Sequence, residues 1–321
     1  MPQFNPAALT ALVDRWRPET HTFHLPCGEV TVTLQDVAMI LALPIRGDPM
    51  TGRAVSEGWR QRAADFLGRP LLDAADSGES KTHTNGIQLS WLRNNFSICP
   101  SNADEPTLTY YARAWVLHMF GSVLFPDAAG ERASWIYIPC LLDWDKAGKY
   151  SWGSAVLAFL YRQLCEACRR TLPKSNLSGC MFLLQVWMWE RLRPVGRPTC
   201  LPRHAWHSDS SELDLGPTVS YLWDRVEPHH GRLQTLYLIY MEDLDALSSD
   251  QVVWEPYSRP GVRDLVLNSM CRRDEDLWMV RCHLICFYMV EFHLPHRVMR
   301  QFNKIQPCLP ELFSTSIELH K

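Results

Sequence analysis

Apolar residues recur at helical intervals between Ala7 and Trp16, at Leu9, Leu12, Val13 and Trp16, and Pro18 ends the run. The period then changes. His21 to Leu25 and Val30 to Thr33 alternate, and "PCGE" between them supplies turn residues, which predicts a short hairpin. Thr33 stands where an N-cap belongs, with Asp36 three residues later as the acid of a capping box. Leu34, Val37, Ala38 and Leu41 follow at i, i+3, i+4 and i+7, one apolar helix face, closed by Pro44 and Gly47. The chain thus opens as a hairpin feeding directly into a capped helix.

Helical spacing dominates the middle of the chain. Thr107 to Phe125 sets Leu108, Tyr111, Ala112, Trp115, Val116, Met119 and Val123 on one side. Ser151 to Arg170 predicts a second long helix, and Ser178 a cap for a third that reaches Arg193. Shorter helices are predicted over Thr218–Val226 and Gly231–Met241, and a strand over Gln251–Tyr257. Leu277 to Phe292 satisfies either period. Pro295 to Phe302 predicts a short helix with proline in the first turn, where its missing N–H is no loss. Asp73 to Gly86 is small and polar, a surface loop. Residues 194–217, rich in Pro, Ser and His, read as a loop or insertion within a single domain spanning 1–321. No internal repeat is present. The expected class is mainly α, with a small β element made of the N-terminal hairpin, a strand near Gln251 and a further one near Cys282.

Composition narrows the function classes. The 321 residues are 46% hydrophobic and 21% charged, enough apolar surface for a sizeable core and too much for wholesale disorder. The net charge of −3 argues against a protein coated in basic residues for phosphate binding, though a local basic face stays open. No apolar run approaches the about 18 residues that span a membrane, and the N-terminus shows no secretory signal. Eleven cysteines, scattered through apolar patterns, suit buried thiols in a reducing compartment better than a disulfide framework. These features predict a soluble intracellular protein. Thirteen tryptophans fit either a deep core or an interaction surface.

Several constellations have the residue types for chemistry. Cys200, His204 and His207 in "CLPRHAWH" have metal-ligand spacing but lack a second pair, and read equally as a surface loop. Cys282, His283, Cys286, His293 and His296 are dense in ligands, but their core-type neighbours favour buried thiols. Cys165 and Cys168 form C-x-x-C far from the helix N-terminus that would lower a thiol pKa, so the pair reads as structural. Asp143 and Asp145, with Glu242, Asp243 and Asp245, are the acids a metal-dependent nuclease or transposase would use, or simply solvated helix ends. Arg297, Arg300 and Lys304, at i, i+3 and i+7, predict a small basic face for nucleic acid or an acidic partner, or a solvated edge. No phosphate-binding glycine loop, nucleophile elbow or H-E-x-x-H occurs.

The order of motifs carries more than any one of them. "LVDRWRPETHTFHLPCGEVTVTLQDVAMILALPIRG" resembles the opening of the plant mobile domain. "YYARAWVLHMFGSVLFPD", "WIYIPCLLDWDKAGKYSWGSAVLAFLYRQLCEACRR" and "FLLQVWMWERL" resemble its central helices, and "VVWEPY" and "VEFHLPHRVMRQF" its closing elements. The resemblance covers nearly the whole chain. It implies a helical domain of transposon-derived origin, without catalysis of its own, and a nuclear location. It further implies roles in meristem maintenance, genome stability and silencing of transposable elements. Nuclear proteins are the implied partners, among them a serine/threonine phosphatase-like one.

Some relatives carry a metallophosphatase domain, whose G-D-x-H-G and G-N-H-E motifs are absent here. The aminotransferase-like label the family sometimes bears finds no support, since no site for a pyridoxal-phosphate lysine is evident. No cofactor and no catalytic residue is carried over. The end at "TSIELHK", where relatives continue, reads as a truncated copy, a splice form or an incomplete gene. Asn303 replaces the usual glycine after "RQF" and also tolerates a left-handed cap.

Overall fold

Asn5 begins the first helix, α1 (Pro6–Val13), by accepting the Ala8 N–H on its side chain at 3.2 Å. The computed structural model describes residues 2–71, 86–169, 177–202, 216–227 and 229–307. Behind α1, β1 (Trp16–Arg17) pairs with β2 (Thr22–Leu25), which pairs with β3 (Gly28–Val30), all antiparallel. The predicted hairpin is therefore a three-stranded sheet. Its last strand stops at Val30, short of the predicted Thr33, because Thr33 is committed to capping α2 (Leu34–Leu41). The Asp36 carboxylate accepts both the backbone N–H and the hydroxyl of Thr33 at 2.7 Å. Ala42, left-handed at φ 52°, ends α2 ahead of the predicted Pro44 and Gly47.

After α3 (Trp59–Leu67), β4 (Ile87–Gln88) leads into α4 (Leu89–Phe96) and the long α5 (Glu105–Met119). α5 runs on into a single π turn, Phe120–Leu124. There Gly121 lies against β5 (Arg132–Ala133), the partner of β4, so closely that a Cβ would sit 2.7 Å from the Ala133 Cα. A 3₁₀ helix, Trp135–Leu141, and the short α6 (Trp144–Ala147) precede two central helices. These are α7 (Trp152–Ala167) and α8 (Met181–Arg191), and α8 is buried on almost every side. Ser178 does not cap α8 as predicted. Cys180 holds that position, and the Ser178 hydroxyl donates instead to the Pro126 carbonyl at 2.9 Å.

The later segment departs most from the pattern-based expectation. Val219–Trp223 is a 3₁₀ helix, and α9 (Leu233–Asp245) packs along α1. The strand predicted over Gln251–Tyr257 does not form. Ser249–Gln251 and Pro256–Ser258 are 3₁₀ turns, and Val252 makes one isolated bridge to Leu192. The Gln251 side chain folds back to accept the Ser248 N–H, and Pro256 has no N–H for a ladder. α10 (Pro260–Arg263) follows. The ambiguous Leu277–Phe292 resolves as a hairpin, β6 (Cys282–Cys286) against β7 (Met289–His293). Pro295–Phe302 is a 3₁₀ segment broken at Val298, where φ is −130°, in place of the predicted regular helix. Asn303 does adopt the left-handed conformation, at φ 55°.

The class is mainly helical with small antiparallel sheets. The core takes part of the aromatic excess: Trp16, Trp187, Trp189 and Trp223 are fully buried. The start of the 194–217 segment is anchored, since Val195 is buried and the Trp189 indole donates to the Gly196 carbonyl at 2.8 Å. Its positions 203–215, and nearly all of the loop predicted over Asp73–Gly86, lie outside the described residues.

Candidate functional site

α5 leaves part of its apolar side uncovered. Asp104 caps it by accepting the Thr107 N–H at 3.0 Å, and within its length only Ala114 and Leu117 are buried. Leu108 and Trp115, two turns apart on the side the periodicity marked as apolar, remain 51% and 67% exposed. Beside Trp115 runs an open groove of about 390 Å³, lined by Leu41, Leu43, Met119 and Val123, with His118 and Ser122 as its polar lining. Burial and the neighbouring Arg93 hold the His118 imidazole below its ordinary pKa, so the groove is uncharged at neutral pH. The Ser122 hydroxyl donates to the His118 backbone carbonyl at 2.7 Å and is not set up as a nucleophile. The groove offers contact area for an apolar side chain.

The basic trio does not share one exposed face. Arg297 is 7% exposed and forks onto the Glu29 carboxylate at 2.6 and 2.8 Å. Arg300 stacks on the Trp254 ring at 3.7 Å and donates to the Cys27 carbonyl and the Ser249 hydroxyl. Lys304 lies past the left-handed Asn303, beyond the 3₁₀ segment. The break at Val298 removes the regular i, i+3, i+7 geometry on which the predicted face depended.

The acidic groups have local duties. Asp143 caps α6 by accepting the Lys146 N–H, and Asp145 sits in that helix's first turn. Asp245 pairs with Arg15 at 2.5 Å, on the same last turns of α9 that carry Glu242 and Asp243. Burial and Glu242 raise the Asp243 carboxyl pKa. Among the described residues these acids do not converge as a trio of ligand atoms.

His204 and His207 lie outside the described residues, while Cys200 is exposed. In β6 the alternation sends His283 to the exposed face and buries Cys286, so the dense Cys/His region is split between faces. Burial pushes the Cys165 thiol up to about 12 and raises Cys168 as well, the opposite of a redox pair.

What pattern reading missed is a set of buried ionic contacts. Asp36, beyond its cap, receives Arg191 at 2.7 and 3.1 Å and the Tyr257 hydroxyl at 2.7 Å. Glu190 receives the Trp223 indole at 2.7 Å and Arg259 at 2.6 Å. Burial raises the Glu190 carboxyl pKa despite those two partners. His21, Cys165 and Glu291 bring their ligand atoms within 4.8 Å of one another, the one group of three or more metal-type ligands among the described residues. The capping-box spacing revealed Asp36, but no local signal marks partners more than a hundred residues away.

The sequence model of the plant mobile domain matches residues 2–318. Serine/threonine-protein phosphatase 7 long form homolog of Arabidopsis thaliana is 40% identical over 95% of this chain and 22% of its own length. Protein MAIN-LIKE 1 of Arabidopsis thaliana is 35% identical over 94% of this chain and 55% of its own. Protein MAINTENANCE OF MERISTEMS of the same plant is 34% identical over 94% and 58%. The chain thus spans less than two thirds of the length of each of these relatives. No solved structure matches it. No helix among the described residues is long and apolar enough to cross a membrane.

Proposed function

The chain belongs to the plant mobile domain family, and from that premise we propose that it is a non-enzymatic interaction domain of the nucleus. The observation that carries this reading is Trp115, 67% exposed beside an apolar groove on α5. Tryptophan is the side chain most enriched at binding hot spots, and an indole next to a vacant apolar slot is the form such anchors take. The occupant the groove favours is an apolar segment of a protein partner, because its walls are uncharged.

The names of two relatives extend the reading. One is called MAINTENANCE OF MERISTEMS and another a phosphatase 7 long form homolog. Meristem maintenance is therefore the proposed setting, and silencing of transposable elements with genome stability is proposed beside it from the family resemblance alone. A serine/threonine phosphatase-like protein is a proposed partner. Two of the acids of the nuclease reading, Asp143 and Asp245, serve a helix cap and a surface pair, which favours binding over catalysis.

Affinity purification of the tagged chain from plant nuclei tests this. Wild type is expected to recover a defined set of nuclear proteins, with a phosphatase-like one among them, and W115S together with L108S to lose it. Recovery unchanged by the two substitutions, or no specific nuclear protein at all, overturns the proposal.

A further inference from the structure

Where β2, α7 and β7 pack together, three buried side chains meet. His21, just ahead of β2, holds φ at 52°, a left-handed conformation that strains a non-glycine residue by about 1–3 kcal/mol. Cys165 comes from α7 and Glu291 from β7. The His21 Nε2 lies 3.1 Å from the Glu291 Oε2, with side-chain exposures of 1% and 0%, within ion-pairing distance but outside regular hydrogen-bond geometry. The His21 Nδ1 is 3.2 Å from the Phe292 carbonyl, which can only accept, so that nitrogen carries the proton. In the neutral ring, Nε2 then presents its lone pair to a carboxylate lone pair. Such an arrangement is unfavourable unless a proton or a metal ion lies between the two atoms.

We infer that His21, Cys165 and Glu291 hold a structural Zn²⁺ ion. Imidazole nitrogen, thiolate and carboxylate are the donors zinc takes, at about 2.0–2.3 Å. Around a tetrahedral ion at those lengths donors stand roughly 3.3–3.6 Å apart, and the three atoms already lie within 4.8 Å of one another. The far side of every donor is also held, as the outer shells of metal ligands are. The Phe292 carbonyl fixes the His21 tautomer. The Arg162 Nε occupies the other oxygen of Glu291 at 2.5 Å, leaving Oε2 for the ion. The Trp16 indole donates to the Cys165 sulfur at 3.3 Å.

Binding releases the thiol proton, so the ion meets one thiolate and one carboxylate, the latter shared with Arg162. Three protein donors converge there, so a four-fold set would need one further ligand such as water. The enclosure of all three ligands suits a staple between the N-terminal sheet, the central helix and the C-terminal hairpin, and gives substrate no access.

The test uses the full chain expressed with zinc in the medium. Metal analysis by mass spectrometry is expected to find stoichiometric zinc, and a zinc chelator to lower the melting temperature reversibly. Replacing the metal with Co²⁺ is expected to produce a thiolate-to-cobalt band in the near ultraviolet. Cys165→Ala and Glu291→Gln should each remove one equivalent of metal, and Cys165→Ala that band as well. The wild-type measurements stand even if a variant fails to fold. Substoichiometric zinc with a melting temperature indifferent to chelator overturns the inference and leaves an imidazolium–carboxylate pair. Equal metal content in wild type and both variants overturns it too.

Discussion

The Oδ1 of Asp36 accepts two hydrogen bonds from the Arg191 guanidinium, at 2.7 and 3.1 Å, with neither side chain exposed to solvent. The Tyr257 hydroxyl shares that oxygen, and Thr33 occupies the other through its N–H and hydroxyl. Every lone pair of the carboxylate is used. Arg191→Met strands a buried charge and is expected to cost about 3–5 kcal/mol, whereas Asp36→Asn with Arg191→Met should recover part of that loss. Urea denaturation of both singles and the double measures the coupling. Simple additivity would show that the two groups act independently.

His293 should make folding sensitive to mild acid. Its Nδ1 donates to the Val280 carbonyl at 2.9 Å and its Nε2 accepts the Leu34 N–H at 3.3 Å, an arrangement open only to the neutral ring. Burial lowers its pKa from 6.5 to about 4. Between those values the unfolded chain binds more protons, so the contribution is complete above about pH 6.5 and is lost as pH falls toward 4. The slope reaches about 1.4 kcal/mol per pH unit at most. His293→Gln lacks this titration, so its stability deficit relative to wild type is expected to be smaller at pH 5 than at pH 7. A deficit that stays constant or widens would refute the assignment.

Two tryptophans should respond in opposite ways. Trp115→Ser removes an exposed ring and is expected to move stability by no more than about 0.5 kcal/mol while abolishing partner recovery. Trp187→Ala empties a fully buried site and should cost about 3–5 kcal/mol. Thermal melts of the two variants, read beside the nuclear pull-down, separate the surface role from the core role.

Gly121 tests the close approach of the π turn to β5. A Cβ there would lie 2.7 Å from the Ala133 Cα and 2.8 Å from the Arg132 carbonyl oxygen, and backbone cannot swing aside as a flexible side chain can. Gly121→Ala is expected to destabilise by about 1–3 kcal/mol. An unchanged melting temperature would mean that the two segments can separate freely.

Local relationships are legible in the amino-acid order alone. The Thr33–Asp36 capping box, the helical period of α2, the mainly α class and the left-handed Asn303 all come from residues within a few positions of each other. Backbone sterics and neighbouring hydrogen bonds decide such features, so sequence spacing suffices for them. The ordered motifs likewise point to the plant mobile domain.

Tertiary packing decided the rest. Periodicity marked Leu108 and Trp115 as an apolar face, but an apolar stripe looks the same whether or not another element covers it. Spacing put Arg297 on a basic surface, and β3 brought Glu29 to it from the other end of the chain. Leu277–Phe292 satisfied both periods until β6 and β7 paired. The meeting of His21, Cys165 and Glu291 has no trace in sequence order, because it exists only where three distant elements pack against one another.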